Sequence, residues 1–323
     1  SPDSTLSEPS SPQPSGLLPG AGGMRHSDAS RSRATLIGLS AVLLWALLAL
    51  FTIGSSPVPP LLLNALCFGI GGMVGVIWMS ISGTAHRLRQ VPISVYAFGT
   101  AGLFGYHILY FYAFRLSPTA ETGLIAYLWP LFIVLGSALL PGERLRGGHI
   151  AGALLAFAGA ALIVLGKGSD GAASGLGQML AFGCALTWTA YSLISRRLGT
   201  VPTESVAVFC IATAVLSAVA HMKFEPTVWP DSPMGWASVL LLGLGPVGIA
   251  FYTWDVGMKR GDVQLLGVAS YAAPLLSTLA LIIAGIAEAS ITLLVAALLI
   301  TGGAALAARA GKARRTISAS KDV

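Results

Sequence analysis

The sequence places aromatic and imidazole side chains near the middle of long apolar runs, where they could recognise a ligand. Tyr106 and Tyr110 are four residues apart and so share one face of a helix, close to His107. Lipid offers no partner for a tyrosine hydroxyl or an indole N–H. A polar cavity is therefore predicted, with hydrogen bonds between helices as the alternative. The predicted lining is Trp45, Tyr106, His107, Tyr110, Tyr127, Trp129, Trp188, Tyr191 and Tyr271.

The chemistry of such a cavity is recognition of a small molecule. Aromatic rings can stack on an aromatic or apolar group and attract an ammonium group through the ring face. Hydroxyls and His107 can hold a carboxylate. No Lys or Arg is expected at mid-membrane, which argues against nucleotide sugars and phosphorylated substrates. His107 is also the one central group that titrates near neutrality, and the lack of a central carboxylate leaves ion coupling open.

Catalytic patterns are missing from the sequence. It contains no HExxH, no Gly-x-Ser-x-Gly and no aspartate pair within an apolar run. Cys67, Cys184 and Cys210 lie in apolar runs at no metal-like spacing. We therefore expect no catalytic residue, no metal and no cofactor, and the protein is predicted not to be an enzyme.

Prolines interrupt three of the apolar runs. Pro130 and Pro274 each follow a tyrosine by three residues, and Pro246 interrupts a third run. A proline leaves a backbone carbonyl without its helical partner, so each site predicts a bend in the helix. We expect these bends to act in gating, with a plain packing kink as the alternative for any one of them.

Acidic residues are expected at the ends of the spans. Glu143 and Glu288 occupy corresponding ends and are predicted to share a structural role. Asp255 precedes Lys259 by four residues, which indicates a local ion pair, with ion coupling as the alternative.

Composition indicates a membrane protein. The 323-residue chain is 54% hydrophobic and 10% charged, with a mean hydropathy of +0.77, whereas soluble domains are about 25% charged. Continuous apolar runs of about 20 residues indicate helices and not a barrel. The ten predicted spans are 34–53, 60–82, 92–114, 118–140, 148–166, 175–195, 202–221, 234–257, 262–284 and 289–308.

The sequence also repeats itself. Tyr127 and Pro130 recur 144 positions later as Tyr271 and Pro274, and Gly159 to Leu162 recurs as Gly303 to Leu306. Five spans in each copy would make the second copy enter the membrane inverted, as in many secondary transporters. The predicted organisation is a disordered cytoplasmic tail (1–33), a first five-helix repeat (34–166), a linker (167–174), a second, inverted five-helix repeat (175–310) and a basic cytoplasmic tail (311–323).

The basic residues predict the orientation. With the amino terminus inside, 16 of the 19 Lys and Arg residues fall on the inner side, and only Arg115, Lys167 and Lys223 lie outside. This excess predicts that both termini are cytoplasmic. Because the basic residues lie in short loops, no nucleic-acid partner is expected.

Taken together, these features resemble the drug/metabolite transporter superfamily, and more closely its EamA-domain branch. Pro130 to Glu143 and Pro274 to Glu288 are the matching stretches, within roughly residues 34 to 310. The aromatic set resembles that of the bacterial aromatic amino acid exporters of this branch. The resemblance implies a multi-pass protein of the inner membrane that exports amino acids and related metabolites by alternating access, and it gives the aromatic residues a substrate-contacting role.

Other interpretations stay open. A broad exporter of drugs or organic cations could use the same aromatic walls, although such a protein more usually has a central Glu. A ten-span sensor or scaffold and an intramembrane enzyme are the remaining classes. The expected partners are a small-molecule substrate and the lipid bilayer, with the chain acting as a monomer and transport as simple uniport.

Overall fold

The computed structural model describes residues 21–168 and 170–321, with side chains described between residues 27 and 312. Within these residues the chain is helical and forms no strand. The α-helices are α1 (Ala21–Trp45), α2 (Leu48–Gly54), α3 (Pro60–Ser82), α4 (Ile93–Leu116), α5 (Ala120–Ala126), α6 (Trp129–Gly136), α7 (Gly147–Gly166), α8 (Gly175–Arg197), α9 (Ser205–Phe224), α10 (Pro233–Leu244), α11 (Ala250–Arg260), α12 (Val263–Ala269), α13 (Ala272–Ile283) and α14 (Ile291–Lys321).

Eight helical stretches in the described part of the chain are long and apolar enough to cross a membrane. They are Ser27–Gly54, Pro60–Ser82, Ala120–Leu139, Gly147–Gly166, Ser205–Phe224, Pro233–Arg260, Val263–Ile283 and Ile291–Lys312. The prediction of a helical membrane protein is thus confirmed. Helices α4 and α8, of 24 and 23 residues, are as long but less apolar. They carry Tyr106, His107, Tyr110, Trp188 and Tyr191, which belong to the predicted cavity lining.

Local sequence sets the helix boundaries. Thr119, Ser174, Ser232 and Asp262 each precede a helix and accept a hydrogen bond from a backbone N–H of its first turn. Such side chains satisfy N–H groups that have no partner within the helix. The carboxyl end of helix α3 is set by Gly83, whose φ of +66° costs a glycine little.

Three membrane helices are interrupted at the predicted prolines. Helix α5 ends before Tyr127, and α6 resumes at Trp129 and contains Pro130. A matching interruption at residues 270–271 precedes Pro274, and a π-helix over 245–249 contains Pro246. Proline removes a hydrogen-bond donor and crowds the preceding turn, so the helix cannot continue unchanged.

Packing between the two halves of the chain is reciprocal. Helix α7 runs along α14 and α3 along α9. Helix α4 of the first half packs on α8 and α9 of the second half. In the same way, α11 of the second half packs on α1 of the first, and α10 packs on α3. Exchanging the two halves leaves these pairings unchanged.

Close approach of α7 and α14 depends on glycine. A Cβ added at Gly159 would lie 2.8 Å from the carbonyl oxygen of Ala296, and one added at Gly303 would meet the carbonyl of Gly152. Lipid gives no hydrophobic drive for association, so small residues that let backbones touch take over that role.

The segments around the spans differ in part from the prediction. Residues 1–20 of the predicted disordered tail (1–33) lie outside the described residues. From Ala21 onward the chain is helical as part of α1. This is a correction, and its reason is that the last proline of the tail is Pro19, after which nothing prevents the helix of the first span from extending. Helix α14 likewise continues through the predicted basic tail to Lys321.

Substitution of Gly159 by Ala should destabilise the protein by about 1–3 kcal/mol, because the added methyl group must push α14 away. Thermal unfolding of the detergent-solubilised protein measures this. Gly166→Ala is the matched control, since nothing lies within 4 Å of a Cβ at Gly166. Equal melting temperatures for the two variants would contradict the packing account.

Candidate functional site

Four tryptophans from distant parts of the chain meet in one cluster. Trp45 ends α1, Trp129 begins α6, Trp188 lies in α8 and Trp254 in α11. The ring of Trp45 lies 5.1 Å from that of Trp254, 5.9 Å from that of Trp188 and 6.2 Å from that of Trp129. We call these four residues the tryptophan cluster. Three of them were predicted to line a cavity, and the fold brings those three together.

Trp254 was missed by the sequence analysis. It is fully buried, and its indole N–H donates a 3.1 Å hydrogen bond to Oγ of Ser192. Its position near the end of the predicted span 234–257 made it look like one of the tryptophans that gather at membrane surfaces. No signal in the sequence separates Trp254 from a surface tryptophan, since its neighbours on the same helix face are ordinary apolar residues.

A second set of rings continues from the tryptophan cluster. Phe251 lies 5.7 Å from Trp188 and is stacked at 5.5 Å on Phe68, which in turn lies edge-on, 4.9 Å from His107. The two phenylalanines are buried. They were also missed, and no signal marks them, because phenylalanine is ordinary in an apolar span.

The tyrosines of α4 border the same region. Tyr106 lies 5.5 Å from Trp188, and Tyr110 is stacked 6.1 Å from Tyr106. Tyr110 is 36% exposed, and Tyr106 and Tyr127 are half-buried.

The polar tips of the predicted residues divide into two groups. Nε2 of His107, the Tyr127 hydroxyl and the indole N–H groups of Trp129 and Trp188 have no hydrogen-bond partner among the described residues, and they are not sealed from solvent. These atoms are available to a ligand. The thiol of Cys184 donates to the backbone carbonyl of Tyr106 at 3.5 Å.

The polar atoms of the second group either have a hydrogen-bond partner within the protein or are buried. The indole N–H of Trp45 donates to the carbonyl of Pro246 at 3.0 Å, and the Tyr271 hydroxyl accepts from the backbone N–H of Leu131 at 3.0 Å. This N–H belongs to the residue after Pro130. Tyr271, in the second half of the chain, therefore stabilises the helix interruption in the first half. The Tyr191 hydroxyl is buried without a partner, and its ring is stacked 5.0 Å from that of Trp188.

The predicted pair of structural glutamates occupies two different environments. Glu143 is buried and accepts hydrogen bonds from Arg196 at 2.8 Å and Arg31 at 3.4 Å. The other guanidinium nitrogen of Arg196 donates to the carbonyls of Met258 and Gly261, so Arg196 joins α8 to the end of α11. We call Arg31, Glu143 and Arg196 the Glu143 cluster.

Glu288, in contrast, is exposed and takes part in none of the ion pairs among the described residues. Asp255 forms the local pair indicated by the sequence, 2.8 Å from Lys259, and also accepts from Thr203 at 2.7 Å.

No group of three His, Cys, Asp or Glu side chains suited to a metal ion occurs among the described residues. The site is thus a wall of aromatic rings with a few available polar atoms and no ionised side chain among its members.

Comparison with known proteins agrees with this arrangement. The chain is 56% identical over 282 residues to a protein of Ancylobacter novellus named aromatic amino acid exporter YddG, covering 86% of this chain and 98% of that one. The Escherichia coli K12 protein of the same name is 26% identical over 291 residues, or 86% and 97% of the two chains. A crystal structure with 55% identity superposes with a TM-score of 0.82 over 86% of this chain and 98% of the other.

The model of the EamA-like transporter family matches this chain twice, over residues 32–165 and 175–309. These two matches cover most of the sequence and confirm the resemblance inferred from its motifs. They also confirm the prediction of a transporter. This chain therefore belongs to the EamA-like transporter family.

Proposed function

We propose that this protein exports aromatic and other amino acids from the cytoplasm across the inner membrane, by alternating access around the aromatic site. The observation that carries the proposal is the tryptophan cluster with available polar atoms at its border. The substrate class also draws on the 56% identical relative named as an aromatic amino acid exporter.

The chemistry of the site suits a zwitterion with an aromatic or apolar side chain. Indole and phenyl rings offer stacking and edge-on contacts worth about 0.5–1.5 kcal/mol per pair beyond area burial. The site has no ionised wall, so an overall neutral ligand fits it better than a strong anion. An organic-cation exporter would be expected to hold an available carboxylate here, whereas Asp255 is paired with Lys259. Without such a group, transport is proposed to run down the substrate gradient as uniport.

The membrane arrangement is proposed to comprise ten spans, with α4 and α8 crossing in addition to the eight apolar stretches. Two observations support two inverted five-span repeats: the family model matches twice, and the contacts between halves are reciprocal. The interruptions before Pro130 and Pro274 lie at equivalent positions of the two halves. The excess of basic residues supports cytoplasmic termini.

Alternating access requires that the two ends of the bundle open in turn, and the Glu143 cluster is proposed to hold one of them closed. It joins α1, α8 and the loop before α7 at the end where α1 begins. The other half has no counterpart, because the residue eight positions after Trp188 is Arg196, whereas that after Trp45 is Ile53. In this account the substrate site faces the opposite, outer side, and the bends at Pro130, Pro246 and Pro274 absorb the movement.

Flux of labelled phenylalanine and tryptophan into proteoliposomes tests the function. The wild-type protein should give saturable flux without a pH gradient, and Trp129→Ala and Tyr106→Ala should each lower it about tenfold, the effect of losing about 1.4 kcal/mol of binding. Trp229→Ala is the control, because Trp229 is exposed and contacts Trp236 away from the site. Absence of amino acid flux, with flux of quaternary ammonium compounds, would favour the drug-exporter alternative.

Opening of the Glu143 cluster can be followed with a reporter at Gln264, which is 2% exposed beside Ser137. In a background without native cysteines, a Gln264→Cys reporter should react about tenfold faster with a membrane-impermeant maleimide when Arg196→Ala is added, a change of about 1.4 kcal/mol in the closed state. Arg197→Ala, at an exposed neighbour, is the control. Equal labelling rates in the two variants would refute the gate.

A further inference from the structure

We infer that the site binds its substrate in one fixed polarity: the ammonium group on Nε2 of His107, and the carboxylate on the indole N–H groups of Trp129 and Trp188. This inference rests on the proposed function, since it assigns the two charged groups of an amino acid to opposite sides of the same cavity. It reverses the initial expectation that His107 would help to hold the carboxylate.

The hydrogen bonding of His107 identifies its acceptor nitrogen. Nδ1 lies 2.7 Å from the carbonyl oxygen of Leu103. A carbonyl can only accept, so Nδ1 carries the proton of the neutral imidazole, and Nε2 presents a lone pair. Nε2 has no partner among the described residues and is not sealed from solvent. In this form His107 can accept a hydrogen bond from an ammonium group but cannot donate one to a carboxylate.

The rings around His107 strengthen this preference. Phe68, Tyr106 and Phe251 lie 4.9, 5.1 and 6.1 Å from the imidazole. An ammonium group among these rings can lie over a ring face within about 6 Å, which is favourable for a cation. A carboxylate at Nε2 would meet the lone pair of that nitrogen, which repels it.

The opposite pole is made of donors. An indole N–H can donate and cannot accept. In two members of the tryptophan cluster this N–H already donates within the protein: Trp45 donates to the carbonyl of Pro246, and Trp254 donates to Oγ of Ser192. Trp129 and Trp188 keep theirs available. Carboxylate oxygens accept several such bonds, and charge-assisted hydrogen bonds are the stronger kind.

His107 and Trp188 have two neighbouring rings in common. Trp188 lies 5.5 Å from Tyr106 and 5.7 Å from Phe251, and both of these rings also contact His107. His107 and Trp188 thus border the same two rings. In this proposal the α-amino acid, whose ammonium and carboxylate share one carbon, lies between His107 and the two indole N–H groups.

The experiment compares three ligands that share a phenyl group: L-phenylalanine, phenethylamine, which lacks the carboxylate, and 3-phenylpropionate, which lacks the ammonium. Binding is measured by intrinsic tryptophan fluorescence of the purified protein and, independently, by competition with labelled phenylalanine flux. The variants are His107→Phe, which removes the acceptor and keeps a ring, and Trp188→Phe and Trp129→Phe, which remove one N–H donor each. Trp229→Phe is the control, because Trp229 is exposed and contacts Trp236 away from the site.

We expect His107→Phe to weaken phenethylamine about tenfold, equivalent to one lost hydrogen bond of about 1.4 kcal/mol, and to leave 3-phenylpropionate unchanged. His107→Gln, whose side-chain oxygen can accept, should recover part of the loss. Trp188→Phe and Trp129→Phe should each weaken the binding of 3-phenylpropionate and leave the binding of phenethylamine unchanged. Trp229→Phe should leave the ratio of the two affinities unchanged.

Two results would overturn the polarity. One is a loss of 3-phenylpropionate binding in His107→Phe that equals or exceeds the loss of phenethylamine binding. The other is an unchanged ratio of the two affinities in both tryptophan variants. If wild-type protein neither binds nor transports L-phenylalanine, the proposed function fails and the polarity fails with it. Phenylalanine transport with either of the first two results overturns the polarity alone.

Discussion

The constraint on which this structure depends is that a polar group within a membrane finds its partners inside the protein. In the described part of the chain most such groups find one. Trp45 donates to the carbonyl of Pro246, and the Tyr271 hydroxyl accepts from the N–H that follows Pro130. Both bonds hold a chain segment at an interrupted helix. The groups that stay available, at His107, Tyr127, Trp129 and Trp188, mark the candidate site.

Two kinds of contact hold the helices of the bundle together. Backbones touch where glycines permit it, as between α7 and α14, and these contacts are the same when the two halves are exchanged. Charged contacts do not follow this symmetry. Glu143 is buried against Arg196, whereas Glu288 is exposed. The symmetric part of the structure therefore sets the architecture, and the asymmetric part distinguishes one end of the bundle from the other.

The class of protein, the positions of the helix interruptions and most of the aromatic wall could be predicted from the sequence, because proline and mid-span tryptophan have few other uses in a membrane. Trp254 could not be separated from a surface tryptophan without knowing how deep α11 lies. The sequence also made Tyr127 and Tyr271 look equivalent. Only the packing reveals that one hydroxyl is available and that the other is bonded to Leu131. The helical course of residues 21–33 was missed because composition describes a segment in isolation, and here it continues a membrane helix.

The absence of ionised side chains from the aromatic wall has an energetic consequence for the transport cycle. Moving one elementary charge through the membrane potential costs or yields about 2.3 kcal/mol per 100 mV. A wall of rings, hydroxyls and one imidazole carries no fixed charge through that field, and a zwitterion adds none. The loaded and empty forms of such a carrier would reorient electroneutrally. The voltage across the membrane would then neither drive export nor oppose it, and the concentrations of the amino acid on the two sides would alone set the direction.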